Sequence, residues 1–385
     1  MRKVVSLAAL MGALLLVYAS GVLAQPQTPT QNIPDRYIVV FEDGVQRPAA
    51  AANEQARENG LQLKFVYTSA IKGYAAVFPN DRALQRVESD PRVDSIEQDQ
   101  VVRAVAQTLP WGIGKIDAHL STTQAGNGSG EVTGVNAYII DTGIDQNHPD
   151  LNVVGHINFA GGKNTDCNGH GTHVAGTVAA RDNDQAVVGV APGAPLTGVK
   201  VLGCSGSGTT SGVIKGIDWV TANAAKPVIA NMSLGGGPSS TLDKAVVNSA
   251  NSGVFYSIAA GNDGANACNY SPARAGAGTN NGIMTVAATN SSDGDPSWSN
   301  YGSCVDIWAP GVSILSTRKG GGTTTMSGTS MAAPHVAGGG VLYLSSNTGA
   351  SPTAVEGELK LKATNTNNLS NDQQRTIKRE NVGGF

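Results

Sequence analysis

The sequence predicts an α/β chain, a mostly parallel sheet flanked by helices, preceded by a small α+β domain. Three observations carry this reading. Between Leu196 and Ala260, short apolar runs of strand length alternate with helix-length segments, the pattern of a parallel sheet with helical crossovers. Ahead of them, residues 36–103 read as strand, helix, two strands, helix and strand, enough for a separate small domain. Charged residues are also roughly twice as dense between Gln25 and Arg103 as after Arg103, which puts the boundary there.

The elements follow in order. Arg2 and Lys3 precede an apolar run from Val4 to Val17, and Val22-Leu23-Ala24 then offers a signal-peptidase site. The run is short for a membrane span, so residues 1–24 read as a secretory signal cut after Ala24, against the alternative of an uncleaved anchor. After a Pro-rich linker, Arg36–Phe41 is a β-branched and aromatic strand ending at Asp43-Gly44. Ala49–Asn59 is a helix stopped by Gly60, Lys64–Thr68 and Tyr74–Phe78 are strands, and Asp81–Ser89 is a second helix ahead of Pro91. These elements belong to residues 25–103, and residues 104–385 form the larger domain.

The larger domain must build its core from small side chains and many turns. The chain has 385 residues, 40% of them hydrophobic, but only 5% aromatic residues and 49 glycines. Its net charge of −3 points to neither nucleic acid nor a membrane surface as a partner. Val135–Ile140 is an apolar strand with Asp141 at its end, in D-T-G-I-D. His170 opens an apolar helix in N-G-H-G-T-H-V-A-G, with His173 three residues on. The pair lacks the glutamate of H-E-x-x-H, so zinc is a poor reading.

Strands at Leu196–Leu202, Val228–Ser233 and Val254–Ala260 alternate with helices at Thr210–Ala222 and Leu242–Asn251. Asn262 follows the last strand as an uncharged amide donor. The Gly-rich segments Ser205, Gly206, Ser207, Gly208 and Ser233, Leu234, Gly235, Gly236 could let an extended peptide lie beside them as an added strand. Ser330, in G-T-S-M-A-A-P, starts an apolar helix with Pro334 expected in its first turn. Each of these has an ordinary alternative when taken alone. Serine caps helices, and Asp and Asn form turns.

Taken together, the order Asp141, His170, Ser330 is that of subtilisin. The motifs D-T-G, H-G-T-H-V-A-G, S-L-G-G, A-A-G-N and G-T-S-M-A-A-P-H-V-A-G resemble the subtilisin-like serine proteases from Trp111 to about Thr364. C-N-G-H-G-T-H, C-N-Y-S-P-A and S-N-Y-G-S-C-V-D are similar to the proteinase K branch, especially its aqualysin-like members. The resemblance implies a subtilisin-like fold and a catalytic triad of Asp141, His170 and Ser330. It also chooses His170 over His173, names Asn262 as the oxyanion donor, and makes the two Gly-rich segments the substrate strands. Gln25–Arg103 resembles the family's inhibitory propeptide, so the expected product is a secreted, extracellular endopeptidase made as a self-processing precursor. Its partners would be protein or peptide substrates and its own propeptide as intramolecular inhibitor and folding aid, with a monomer expected.

The four cysteines, Cys167, Cys204, Cys268 and Cys304, suit an exported chain and allow three pairings. The resemblance favours Cys167 with Cys204 and Cys268 with Cys304. It implies no catalytic cofactor but a structural calcium, with Asp306 as its carboxylate and carbonyl ligands near Asn281 and Ile283. A second calcium near Asp117 is not expected, because Gly114 and Ala118 stand at the other ligand positions. A lipase or esterase would order its triad Ser, acid, His, and here no acid lies between Ser330 and the following His335. A non-catalytic binding relative is disfavoured by the four intact catalytic groups. Gly235, Ala260 and the 275–282 loop suggest broad side-chain preference, and the polar tail from Asn365 to Phe385 is expected to fray.

Overall fold

The computed structural model describes residues 32–100, 107–278 and 280–385. The expected signal segment, and the expected boundary after Arg103, lie outside them. The chain divides into two compact units, residues 1–103 and 104–385.

In the first unit β1 (Asn32–Phe41), α1 (Pro48–Asn59), β2 (Gln62–Tyr67), β3 (Gly73–Val77), α2 (Asp81–Glu88) and β4 (Val93–Gln100) follow one another. The strands make an antiparallel sheet in the order β2-β3-β1-β4. Val39, Phe41, Tyr74 and Ala76 from the sheet pack against Ala52 of α1 and Ala83 and Val87 of α2. Gly60 at φ 67° ends α1 in the left-handed conformation that glycine adopts without cost. Asn80 caps α2 by accepting the Ala83 N–H at 3.0 Å.

The second unit runs through α3 (Trp111–Lys115), β5 (Asn136–Asp141), β6 (Val153–Asn158), α4 (His170–Ala179), β7 (Leu196–Lys200), α5 (Thr210–Asn223), β8 (Val228–Met232), α6 (Ser240–Asn251) and β9 (Phe255–Ala259). It continues with β10 (Ile283–Thr289), β11 (Ile307–Pro310), β12 (Ile314–Thr317), β13 (Thr323–Met326), α7 (Thr329–Ser346), α8 (Pro352–Lys362), β14 (Thr364–Leu369) and β15 (Thr376–Arg379). Nine strands form one sheet in the order β14-β15-β11-β10-β9-β8-β5-β7-β6. Every pairing in it is parallel except that of β14 with β15.

The period of two along the strands builds a core on each face. Ala137 and Ile139 of β5 join Val336, Ala337 and Val341 of α7 on one side. Tyr138 and Ile140 join Ile217 of α5 and Val246 of α6 on the other. Helix α7 is apolar all round because it is buried all round. Its Gly340 lets the helix approach the sheet closely, since a Cβ there would come within 3.1 Å of Ile229 and Phe255. The chain goes from β5 to β6 and β7 on one side, then to β8 on the other. Strand order therefore switches at β5, and the crevice outside the carboxyl ends of these strands is where such sheets bind ligands.

The tail does not fray. β14 and β15 extend the sheet beyond β11, and Ile377, Val382 and Phe385 are buried. The Val382 N–H donates to Ile116 O at 2.8 Å, and the Phe385 ring packs 5.5 Å from that of Tyr343. Three apolar anchors in a polar sequence are enough to dock it.

The same tail buries Glu380. It is fully inaccessible, neither carboxyl oxygen has a hydrogen-bond partner among the described residues, and the group packs against Gly339 of α7. Burial pushes its pKa well above the ordinary glutamate value, with nearby Arg379 opposing only in part. The native state therefore holds a proton that the unfolded chain releases above about pH 4.5, and stability falls as pH rises through that window, by up to about 1.4 kcal/mol per pH unit. Glu380→Leu should raise the thermal midpoint little at pH 4 and progressively more toward pH 8. A constant difference across that range would show that Glu380 is not a buried neutral acid.

Candidate active site

Four carboxyl-terminal strand ends and two helix starts surround two cavities that share Leu234–Gly237. Asp141 is the last residue of β5 and is fully buried. His170 is the first residue of α4, and its Nδ1 lies 2.8 and 3.0 Å from the two carboxylate oxygens of Asp141. Asp141 also accepts the Thr142 N–H at 2.6 Å. An imidazole held this way through Nδ1 turns Nε2 outward, free to take a proton.

Asp166 is buried below this pair and accepts five donors. They are the Thr142 hydroxyl at 3.0 Å, the backbone N–H groups of Asn168, Gly169 and Thr172 at 2.8–3.0 Å, and the Thr172 hydroxyl at 2.6 Å. Thr142 in turn accepts the Gly171 N–H at 2.9 Å. The end of β5 and the first turn of α4 are thus tied through one carboxylate at a helix N-terminus, where negative charge is favoured. Burial pulls the His170 pKa down, but the charge and hydrogen bond of Asp141, with a smaller contribution from Asp166, outweigh it and leave the pKa raised. His173 behaves differently. Its Nε2 lies 3.0 Å from Ile314 O, and burial pushes its pKa down to about 4, as suits a structural imidazole.

Ser330 is the second residue of α7, after Gly328 at φ 153°, so its N–H falls among those a helix leaves without intrahelical acceptors. Its hydroxyl donates to Ser233 O at 3.2 Å. Pro334 lies in the second turn of α7, not the first as expected, because the helix begins at Thr329. A proline there leaves the carbonyl four residues back without its donor. That carbonyl belongs to Ser330, and the Ser233 hydroxyl donates to it instead at 2.7 Å.

Asn262 follows β9. Its Oδ1 accepts the Thr329 N–H at 2.8 Å and the Thr329 hydroxyl at 2.9 Å, while Nδ2 has no acceptor among the described residues. The loop that carries it is held by Asn300, buried, which donates to Ala260 O and accepts the N–H groups of Asp263 and Ala265.

Gly206, Ser207 and Gly208 face Ser233, Leu234, Gly235 and Gly236 across a cavity of about 410 Å³ that His170 also lines. A second cavity, of about 420 Å³, runs from Leu234–Gly237 to Asn262 and Ser330. Ser205 lines neither, and the backbone N–H and C=O of Gly236 are already paired with Ser271. Cys167 is bonded to Cys204, tying the loop before His170 to the 203–208 segment. Cys268 is bonded to Cys304 beyond Asn262.

Asp306 lies elsewhere, immediately before β11, and the expected calcium does not fit there. Its Oδ1 is 2.7 Å from Lys360 Nζ, and its Oδ2 accepts the Thr285 N–H at 2.8 Å. The Asn281 and Gly282 groups turned toward Glu356 are N–H donors, where a hard cation requires oxygens. Among the described residues no group of three or more His, Cys, Asp or Glu side chains could hold a metal ion, and no helix is long and apolar enough to cross a membrane.

Asp166, Thr142, Thr329 and Asn300 carry no role in the sequence reading. Asp166 had a usable signal, an acid ahead of a Gly-ended turn and a helix. Asn300 had none, since it acts on a loop some forty residues away in the chain.

Comparison with known proteins gives a consistent result. Residues 133–379 match the model of the subtilase family, and residues 36–104 that of peptidase inhibitor I9. An extracellular serine proteinase of Thermus sp. (strain Rt41A) is 44% identical over 369 residues, 87% of this chain and 86% of its own. Alkaline serine exoprotease A of Vibrio alginolyticus is 44% identical over 349 residues, 84% of this chain but only 63% of that longer protein. The crystal structure of a cold adapted subtilisin-like serine proteinase aligns with a TM-score of 0.62 at 45% identity, covering 72% of this chain and 98% of that one.

Asp166→Asn tests the electrostatics. Loss of its negative charge should move the His170 titration to lower pH, read from the ring protons by NMR. A midpoint unchanged from that of the parent would mean that Asp166 shapes the loop without acting on the imidazole.

Proposed function

The chain belongs to the subtilase family of serine proteases, and from that premise we propose that it is a secreted endopeptidase made as a precursor that cuts itself. The observation that carries the proposal is the buried Asp141 carboxylate 2.8 Å from His170 Nδ1, beside a cavity that shares Leu234–Gly237 with the one lined by a helix-N-terminal serine and by an amide whose Nδ2 has no acceptor among the described residues. The parts supply a base, a nucleophile and oxyanion donors from the chain itself.

Substrate would lie extended between 205–208 and 233–236, adding a strand. The Ser330 hydroxyl turns from Ser233 O to His170 Nε2, gives up its proton there, and attacks the peptide carbonyl carbon. Negative charge collects on the carbonyl oxygen. It is met by the Ser330 N–H at the start of α7 and by Asn262 Nδ2, fixed because Thr329 holds the amide oxygen. His170 then protonates the leaving amine and the acyl-enzyme forms. Water, activated by the same imidazole, releases the acyl group. Asp141 keeps the ring in the tautomer that offers Nε2 and stabilises the cation between the two proton transfers.

Residues 25–103 we assign as the inhibitory propeptide and folding aid, after removal of 1–24 on export. Residues 104–385 we assign as the monomeric enzyme. The match of residues 36–104 to peptidase inhibitor I9 supports this reading, and the extracellular naming of the Thermus relative supports export. The cavity beside Ser330 is walled by Gly235, Ala260 and Ala273, small groups that suit many side chains, so cleavage sites in a denatured protein mixture should be broad in that position. Strict dependence on one charged side chain would sink that part.

Two variants separate the roles. Ser330→Ala removes the nucleophile and should accumulate as an uncut precursor beginning at Gln25. Asn262→Ala loses one oxyanion donor and should still process, more slowly by on the order of 10²- to 10³-fold. Both can be expressed in a host lacking other proteases and followed by intact mass. If Ser330→Ala yields a mature-sized chain as fast as the parent, cleavage near residues 102–107 is the work of another enzyme.

A further inference from the structure

The place where the fold family implies a calcium ion already contains a cation. Lys360 Nζ, on α8, lies 2.7 Å from Asp306 Oδ1, 2.5 Å from Glu356 Oε1 and 3.3 Å from Asn280 Oδ1. Asp306 and Glu356 are both buried, and the lysine is only 26% exposed. We propose that the Lys360 ammonium is the resident cation of this site, so that the chain holds together with its own side chain what a bound divalent ion would otherwise join.

The surrounding hydrogen bonds are those of a site completed by an ammonium. Glu356 spends its other oxygen on the N–H groups of Asn281 and Gly282, both at 2.7 Å. Asn281 is further tied through Oδ1 to the Ile283 N–H and through Nδ2 to Ala275 O. Asp306 spends its second oxygen on Thr285 N–H, and the Thr285 hydroxyl donates to Ala273 O at 2.5 Å. A chain of contacts thus runs from Lys360 to Ala273, a wall of the cavity beside Ser330. The neighbouring cavity is lined by Arg375 and Lys378 as well, an environment that repels a second cation.

An incoming divalent ion would have to expel an ammonium that donates to two buried carboxylates. It would then meet Asn281 and Gly282 N–H groups already committed to Glu356. A buried charge left without its partner is costly, so removing the lysine is expected to hurt far more than removing a surface charge.

The test uses the mature enzyme, protected from self-digestion by a serine-directed inhibitor, and reads the thermal midpoint with chelator and with added calcium. The parent and Asp306→Asn should respond alike to chelator. Lys360→Met should fall by on the order of 5–10 °C and should recover part of that loss on adding calcium, because the carboxylates are then vacant. Calorimetric titration of chelator-stripped parent and Asp306→Asn with calcium should give the same number of ions bound, a comparison that stands even if Lys360→Met does not fold. The proposal is overturned if chelation lowers the parent's midpoint and Asp306→Asn abolishes that drop. One fewer ion bound by Asp306→Asn, or a Lys360→Met midpoint equal to the parent's, would overturn it as well.

Discussion

The hydrogen bond between Asp141 and His170 is the constraint on which the rest of the cleft depends. It joins a strand end to a helix start, two elements twenty-nine residues apart, and holds the pair at 2.8 Å. Such an arrangement is unstable unless the buried carboxylate and its surroundings are fully answered by donors. That requirement explains why Thr142, Asp166, Gly171 and Thr172 are knit together behind it. It also explains why Gly171 is glycine, since a side chain there would run into the Gly143 carbonyl and the Asp141 side chain. The parallel sheet supplies the rigid edge, and the helix starts supply oriented N–H groups.

Ser330 is fixed by a separate exchange. Pro334 denies the Ser330 carbonyl its helical donor, and Ser233 takes that role while accepting from the Ser330 hydroxyl with its own carbonyl. A residue that breaks the helix ladder therefore anchors the helix start to the segment against which a peptide is proposed to lie. Asn262 completes the arrangement from the next strand, with its amide oriented by Thr329 and its loop by Asn300.

Much of this was legible in the sequence because it was local. The strand ending at Asp141, the glycine before His170 and the small residues around Ser330 each announce themselves within a few positions, and the alternation from Leu196 to Ala260 announces the sheet. What was illegible depended on partners distant in the chain. No periodicity singles out Ile283–Thr289, which is a fully buried strand only because β9 and β11 flank it. The polar tail gives no hint that Ile377, Val382 and Phe385 dock, and Pro334 looks like a first-turn residue until the helix start is known. Asp306 matches a metal-site pattern by position, yet its partner in the structure is a lysine more than fifty residues later.

That ion pair has a consequence for how the protein meets its surroundings. A bound metal has a dissociation constant, so the strength of such a joint follows the free concentration of the ion around the protein. A cation carried on a helix of the same chain has instead an effective concentration fixed by the fold. It is not diluted, scavenged or exchanged. The join between α8 and residues 280–285 is thus equally firm whatever the free concentration of a metal ion around it.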